Sequence, residues 1–320
     1  MRLLVTGGAG FIGSNYVHYV LEHSDDSVTV FDALTYAGNL DNLRDLEGDP
    51  RYSFVKGDIT DREAVLGAVD GHDAVVHFAA ESHVDRSIAS PDEFVHTNCD
   101  GTNVMCDVAR RVGVEKFLHI STDEVYGSIE EGSFTETDRL EPRSPYSASK
   151  AGSDLVALSY RTTYGLPVLV TRSSNNFGPY QFPEKVIPLF VTNLLQGRKV
   201  PLYGDGLNIR DWCYVMDNCA AVDLVLRSGT VGEVYNIGAG NEITNRELTT
   251  TILGLLGHGD EMVDYVEDRL GHDRRYSIST DKVEALGWKP ARELGEALEA
   301  TVAWYRDNAW WWEPLKAPGR

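Results

Sequence analysis

Thr6-Gly7-Gly8-Ala9-Gly10-Phe11-Ile12-Gly13 decides the fold. The aliphatic run Leu3–Val5 precedes it and a helical pattern over Phe11–His23 follows it. Gly7, Gly10 and Gly13 therefore stand at a strand-to-helix junction with Gly-x-x-Gly-x-x-Gly spacing. Glycines there allow a tight turn, close backbone approach to a pyrophosphate and close packing of the helix. The helix N-terminus then offers NH groups and a positive dipole to the phosphates. Asp32 ends the second strand, 19 residues after Gly13, where a carboxylate can bind both hydroxyls of an adenosine ribose and repel the extra phosphate of NADP. The expected cofactor is NAD.

Outward from this junction, short β-branched runs alternate with longer helical patterns. Strands are expected near Leu3–Val5, Val28–Phe31, Ser53–Val55, Ala74–Phe78, Phe117–Ile120 and Val168–Thr171. Helices are expected over Phe11–His23, Arg62–Val69, Asp92–Arg111 and Tyr146–Tyr164. That alternation predicts an α/β fold, a Rossmann-type doubly wound parallel sheet with a smaller C-terminal substrate-binding region. Residues 1–172 are expected to form the NAD-binding part, with a returning segment near 212–240 that includes the strand-like Val234–Gly238. Residues 173–320 then form mainly a cap. Asn175–Tyr180 reads as a loop, Gly204-Asp205-Gly206 as a turn, and Trp310-Trp311-Trp312 as packing for a final helix. Ligands gather at the carboxyl ends of parallel strands. Asp58 and Ile59 after the third strand are thus placed near the adenine, and Phe78-Ala79-Ala80-Glu81-Ser82 after the fourth near the nicotinamide half. Helix N-capping is an equal reading of Asp58. Asn98-x-x-Gly101-Thr102 reads as small residues allowing close packing in a long helical stretch.

Composition narrows the function. The chain has 320 residues, enough for a substantial core, and a formal net charge of -20. Such a charge disfavours general binding to nucleic acid or to membranes, both polyanionic. An anionic substrate would need a local basic pocket. Cys99, Cys106, Cys213 and Cys219 have neither CxxC nor Cys/His metal spacing, so reduced thiols and no metal are expected. The start of the chain reaches its glycines too soon for a signal-peptide core, and no apolar run would span a bilayer, so a cytoplasmic protein is expected.

The chemistry sits in Ser121-Thr122-Asp123-Glu124-Val125-Tyr126-Gly127, followed by Tyr146 and Lys150. Ser144-Pro145 opens a helix on which Tyr146 and Lys150, four apart, share a face. An ammonium near the phenol is expected to lower its pKa, so that Tyr146 can accept a hydroxyl proton. Lys150 can also bond the nicotinamide ribose. Oxidation of an alcohol needs the hydroxyl, the phenol and the amine. The adjacent carboxylates point further, to an elimination. Two close carboxylates resist double ionisation, which suits a neutral Asp123 beside an ionised Glu124.

Together with these motifs, Ala79–Ser87, Asn175–Pro179, Pro183-Glu184-Lys185 and Gly271–Tyr276 make the chain resemble, over nearly its whole length, the dTDP-glucose 4,6-dehydratases among the extended short-chain dehydrogenases/reductases. The resemblance implies oxidation of a hexose at carbon-4, loss of water across carbons 5 and 6, and return of the hydride to carbon-6 with NAD regenerated. In that scheme Thr122 meets the 4-keto oxygen, Glu124 is the base at carbon-5 and Asp123 the acid at the 6-hydroxyl; the split of roles within the pair follows the family. It also implies cofactor contacts from Ala33, Leu34, Thr35, Thr97 and Asn176, and substrate contacts from Ser82, Thr122, Asn175, Glu184, Lys185, Pro201, Tyr203, Arg210, Asn245, Arg269 and His272. Lys185, Arg210 and Arg269 would neutralise the substrate's pyrophosphate, while Pro201 and Tyr203 would wall its base. His77 and His83 are left as structural. A homodimer through a four-helix bundle of the Asp92–Arg111 and Tyr146–Tyr164 helices is implied too.

Competing readings fit less well. A 4-epimerase needs no acid/base pair at carbons 5 and 6. In a UDP-glucuronate decarboxylase the adjacent Asp would repel the substrate carboxylate. GDP-mannose dehydratases resemble the chain in chemistry but favour NADP, which Asp32 disfavours. An idle NAD-binding regulator would be attractive only if Thr122, Tyr146 or Lys150 were missing.

Overall fold

The computed structural model describes residues 1–268 and 271–316. Six strands, β1 (Arg2–Thr6), β2 (Ser27–Asp32), β3 (Tyr52–Lys56), β4 (Ala74–His77), β5 (Lys116–Thr122) and β6 (Val168–Ser173), pair in parallel in the order 3-2-1-4-5-6. Their side chains alternate between two cores, as period-two geometry demands. Leu3 and Val5 join Tyr16, Val17 and Val225 on one face, while Leu4 joins Val65, Val69 and Met105 on the other. Central strands covered on both faces need no polar side, which is why β4 and β6 are buried at every residue. The edge strand β3 is not.

The helices that supply those faces are α1 (Phe11–His23), α2 (Arg62–Val69), α3 (Val84–Ala89), α4 (Pro91–Val95), α5 (Thr102–Val112) and α6 (Pro145–Tyr164). Strands and helices here fall within a few residues of their expected positions. The Asp92–Arg111 stretch differs: between α4 and α5, residues His96–Gly101 form a π-helical turn. The widened turn carries Asn98, whose amide nitrogen donates to Glu81 O (3.0 Å) and Ser149 Oγ (2.8 Å) while its oxygen accepts from Glu81 N (2.8 Å). Asn98 is thus a tie to the strand-4 exit, and not only a small packing residue. Gly101 does pack closely, since a Cβ there would lie 2.5 Å from Ile59. Helix α6 opens on a capping box between Ser144 and Ser147 with Pro145 in its first turn, and ends at the left-handed Gly165.

Beyond β6 the chain builds a second assembly. Asn175–Phe177, read from sequence as loop, is strand β7, which pairs in parallel with β9 (Ile209–Tyr214). Three residues paired with a segment far along the chain leave no local periodicity to read. Helix α7 (Val186–Leu195) and β8 (Val200–Tyr203) lie between them. After β9, helix α8 (Val215–Ser228) packs on α1, and β10 (Val234–Ile237) adds a seventh parallel strand beside β6. Strand β11 (Glu242–Thr244) returns antiparallel to β9, α9 (Asn245–Leu255) follows, and β12 (Val263–Val266) pairs with β8. Phe177, Phe190, Trp212, Leu248, Tyr305, Trp311 and Trp312 fill the core of this assembly. Of the three terminal tryptophans, Trp311 and Trp312 are buried but Trp310 is exposed. No helix among the described residues is long and apolar enough to cross a membrane.

Leu118, fully buried in β5, holds the strand that delivers Thr122. Leu118→Ala is expected to lower unfolding free energy by about 2–5 kcal/mol in urea titrations, because a cavity persists where the side chain was removed.

Candidate active site

The site begins at Gly7. Its φ of +67° suits glycine, and a Cβ there would lie 2.6 Å from Ala79 N. A Cβ on Gly13 would lie 2.3 Å from Gly7 O, so the helix can start this close to the turn only without a side chain. Asp32 faces the same turn: its carboxylate accepts from Ala9 N (3.0 Å) and Leu34 N (2.8 Å). Burial raises its pKa, and those two amides oppose the rise. A cavity of about 250 Å³ opens over this turn at the carboxyl ends of the strands. Gly7, Gly10, Phe11, Ile12, Gly13, Asp32, Ala33, Thr35, Asp58, Ile59, Phe78, Ala79, Ala80, Ser82, Thr97, Tyr146 and Lys150 all line it. Leu34 is not in the lining; its part is the amide bond to Asp32, with φ at +55°. Asp58 does not cap α2, a task done by Asp61; it accepts from Thr60 N and Oγ1 at 2.8 Å each.

Strand β5, whose Ile120 and Ser121 line this cavity, delivers Thr122, itself in the lining of neither cavity, as the cap of a single 3₁₀ turn, Asp123–Tyr126. Thr122 Oγ1 accepts from Glu124 N and donates to Asp123 Oδ1, both at 3.3 Å. The same hydroxyl faces the Tyr146 phenol and favours its ionised form. Asp123 is 3% exposed. Burial, then the Glu124 and Asp211 carboxylates, push its pKa well up against the opposing charge of Arg210. That direction favours the protonated form, suited to an acid; Asp123 lines neither cavity, while Glu124 lines the neighbouring one.

One expectation fails here. Tyr146 is not held low by Lys150: burial, then Glu124 and Asp123, raise the phenol well above its ordinary value. The Lys150 ammonium instead donates to Ile120 O at 2.6 Å, and burial lowers its own pKa to about 8. The common helix face is as expected, but the amine is anchored to the strand. The phenol ring packs edge-on against Phe94, centroids 6.3 Å apart.

A second cavity of about 200 Å³ adjoins the first, sharing Ser82, Gln181, Glu184 and Lys185. Asn175, Pro201, Tyr203, Arg210, Asn245 and His272 line it too, as does Asn176, which is absent from the lining of the first. Arg269 lies outside the described residues. Lys185 Nζ donates to Ser82 O at 3.0 Å, and the Arg210 guanidinium donates to Ile209 O (2.7 Å) and Asp273 O (2.9 Å) over the Tyr276 ring. The buried amide oxygens of Asn175 and Asn176 have no hydrogen-bond partner among the described residues, so they are acceptors ready for donors on a ligand. His83 caps α3 and also lines this cavity. His77 is structural, bonded to Thr6 and Thr102 and kept neutral by burial.

Several residues at the site escaped the sequence reading. Tyr36, Gln181 and Phe182 line the first cavity, and Arg86 stacks 3.6 Å from the Tyr36 ring centroid. Tyr36, Gln181 and Phe182 sit in irregular segments without periodicity, and Arg86 on the short helix α3. Trp311 donates to Asn42 Oδ1 (2.7 Å), and Asn42 donates to Ala9 O (2.9 Å), tying the far end of the chain to the glycine turn. All four cysteines are free thiols, and no metal-binding group occurs among the described residues.

Residues 4–301 match the family model described as GDP-mannose 4,6 dehydratase. The chain is 58% identical over 323 residues to a dTDP-glucose 4,6-dehydratase of Streptomyces antibioticus, covering 99% of this chain and 96% of that one. Its structure is similar to that of DesIV, a dTDP-glucose 4,6-dehydratase from Streptomyces venezuelae with NAD and TYD bound: TM-score 0.97, 55% identity, 99% of this chain and 100% of that one. It is also similar to a dTDP-glucose 4,6-dehydratase from Bacillus anthracis in complex with NAD, with TM-score 0.92, 50% identity and coverage of 99% and 100%.

The buried amine yields a pH test. Between about pH 8, where folded Lys150 loses its proton, and 10.5, where an unfolded lysine does, the unfolded chain binds the extra proton, so stability rises with pH. The parent is expected to gain stability relative to Lys150→Met across that window in denaturant titrations. A difference that stays flat refutes the lowered pKa.

Proposed function

The chain belongs to the GDP-mannose 4,6-dehydratase family, and from that membership we propose that it converts dTDP-glucose to dTDP-4-keto-6-deoxyglucose. The observation that carries this reading is a buried Asp123, its carboxyl pushed up by burial and by Glu124, with Glu124 lining one cavity and Tyr146 lining the other. An epimerase has no use for that second pair of groups. The cofactor is NAD, which fits the glycine turn that any Cβ would crowd and the Asp32 carboxylate above it. Bound NAD supplies the hydride acceptor for carbon-4, the hydride returned to carbon-6, and a positive ring charge.

Tyr146 accepts the 4-hydroxyl proton; its phenol, raised here by burial and then by two carboxylates, needs that positive charge nearby to ionise. Thr122 donates to the developing 4-keto oxygen. The ketone acidifies the hydrogen on carbon-5, which Glu124 removes, while Asp123 protonates the departing 6-hydroxyl as water. A proton then returns to carbon-5. Lys150 orients the ribose end of the cofactor site. Lys185, Arg210, Asn245 and His272 hold the nucleotide diphosphate in the second cavity, and Pro201 and Tyr203 wall its base. The first 172 residues with the returning 212–240 segment serve the cofactor, and the remainder mainly serves the substrate.

The protein works in the cytoplasm as a homodimer built through helices α4–α5 and α6. Support comes from apolar side chains left exposed on these elements and on α3, which packs on α6: Ile88 (41%), Val95 (50%) and Leu155 (60%). Leu155→Glu is expected to shift sedimentation from dimer toward monomer; unchanged sedimentation removes this interface.

Incubation of the purified protein with dTDP-glucose tests the activity, with loss of water followed by mass spectrometry and the 4-keto product by its absorbance in alkali. Product without added NAD is expected; none from dTDP-glucose, even with NAD supplied, sinks the reading. Glu124→Gln is expected to lose about 10²–10⁴-fold in water loss, the usual contribution of a positioned base.

A further inference from the structure

Tyr126 closes the 3₁₀ turn that carries Asp123 and Glu124, yet its own side chain points away from both cavities and into the protein. The phenol sits between two partners. It donates to Asn236 Oδ1 at 2.8 Å and accepts from an Arg172 guanidinium nitrogen at 2.8 Å. Arg172 in turn donates through Nε to Asp154 Oδ2 at 2.9 Å, with both charged groups fully or almost fully buried. Asp154 lies on α6, four residues past Lys150 and eight past Tyr146. Its carboxylate also meets His119 Nε2 at 3.3 Å, on the strand that ends in Thr122. On the other side the Asn236 amide is fixed in orientation, because Nδ2 donates to Phe134 O at 3.3 Å.

This chain of bonds joins the helix of the oxidation residues to the turn of the elimination residues. A single four-residue turn has no stability of its own to hold two carboxylates in register. Helix α6, by contrast, is 20 residues long with a capping box and keeps Tyr146 and Lys150 in place by itself. Resting on the dehydratase reading above, we propose that Tyr126, clamped by Arg172 and Asn236, is a positioning residue for Asp123 and Glu124, setting the elimination step without taking part in the oxidation. A small misplacement of reacting groups is enough for such an effect, since about 1 Å can cost a hundredfold in rate.

The test compares the parent with Tyr126→Phe, which keeps the ring and removes only the bridging hydroxyl. With NAD-loaded protein and dTDP-glucose in single turnover, oxidation at carbon-4 is read by the ultraviolet absorbance of reduced nicotinamide, and elimination by loss of water in quenched samples. Oxidation is expected to stay within about twofold of the parent while water loss slows about tenfold or more, so that reduced nicotinamide accumulates. The ratio of the two steps does not depend on what fraction of the protein is folded. Arg172→Lys, which keeps the charge beside Asp154 but not the fork that reaches the phenol, is expected to shift the ratio the same way. Unchanged ratios in these variants, whatever the overall activity, overturn the proposal. A parent that never dehydrates dTDP-glucose overturns instead the function on which it rests.

Discussion

The close passage of Gly7 beside Ala79 is the constraint on which the rest of the structure depends. Strand β1 pairs with β2 on one side and β4 on the other, so the sheet order reverses where β1 ends. There the chain must turn into α1 within a few residues, under the segment that leaves β4. A side chain at Gly7 or Gly13 would push those backbones apart and close the crevice between them. With both absent, the helix start, the Asp32 carboxylate and the Phe78–Ser82 segment converge on one cavity. Every later element of the site is positioned relative to that opening.

Burial then decides the protonation states. The chain carries 49 acidic residues against 29 Lys and Arg, so its long-range field opposes an anionic ligand. Inside the site the balance is set locally by loss of water. Asp123 is pushed up because it is buried beside two carboxylates, Lys150 titrates near 8 because it is buried, and Tyr146 rises for the same reason. Groups that would be uniformly charged or uncharged on a surface are thereby spread into a ready acid and a tunable amine. The second cavity mixes Lys185, Arg210 and His272 with Asp85, Glu124 and Glu184, so charge attraction there is local and specific to the groups in reach.

How much of this was legible in the sequence follows from the range of each interaction. The helices Phe11–His23 and Arg62–Val69 match residue for residue, because periodicity, capping and glycine spacing are local signals. Tyr146 and Lys150 could be placed on one face for the same reason. What failed depends on tertiary surroundings. The state of Tyr146 is set by burial and by carboxylates arriving from another element, not by the lysine one turn away. Strand β7 exists only because β9 comes to meet it. The π turn at His96–Gly101 is imposed where Asn98 reaches Glu81 and Ser149, and nothing in its composition announces it. Arg172 carries no local signal of its role, and only the fold shows that it faces Asp154 and Tyr126.

The placement of the carboxylates on a lone 3₁₀ turn has a physical logic. A fully buried helix would have to satisfy all of its end amides. The short turn instead spends one end amide on Thr122, so the same hydroxyl that meets Tyr146 also fixes where Glu124 begins. At the other end Gly127, with φ of +84°, passes so close to Glu141 that a Cβ would lie 2.4 Å from its carbonyl oxygen. The turn is therefore pinned at Thr122, at Tyr126 and at Gly127, with only Asp123, Glu124 and Val125 between the pins. Rigidity here comes from its attachments, and each attachment leads to a different strand of the sheet or to the loop before α6. A single reacting carbon thus sees groups from β5, from α6 and from the turn in one fixed arrangement, which is what alternating hydride and proton transfers on adjacent carbons require.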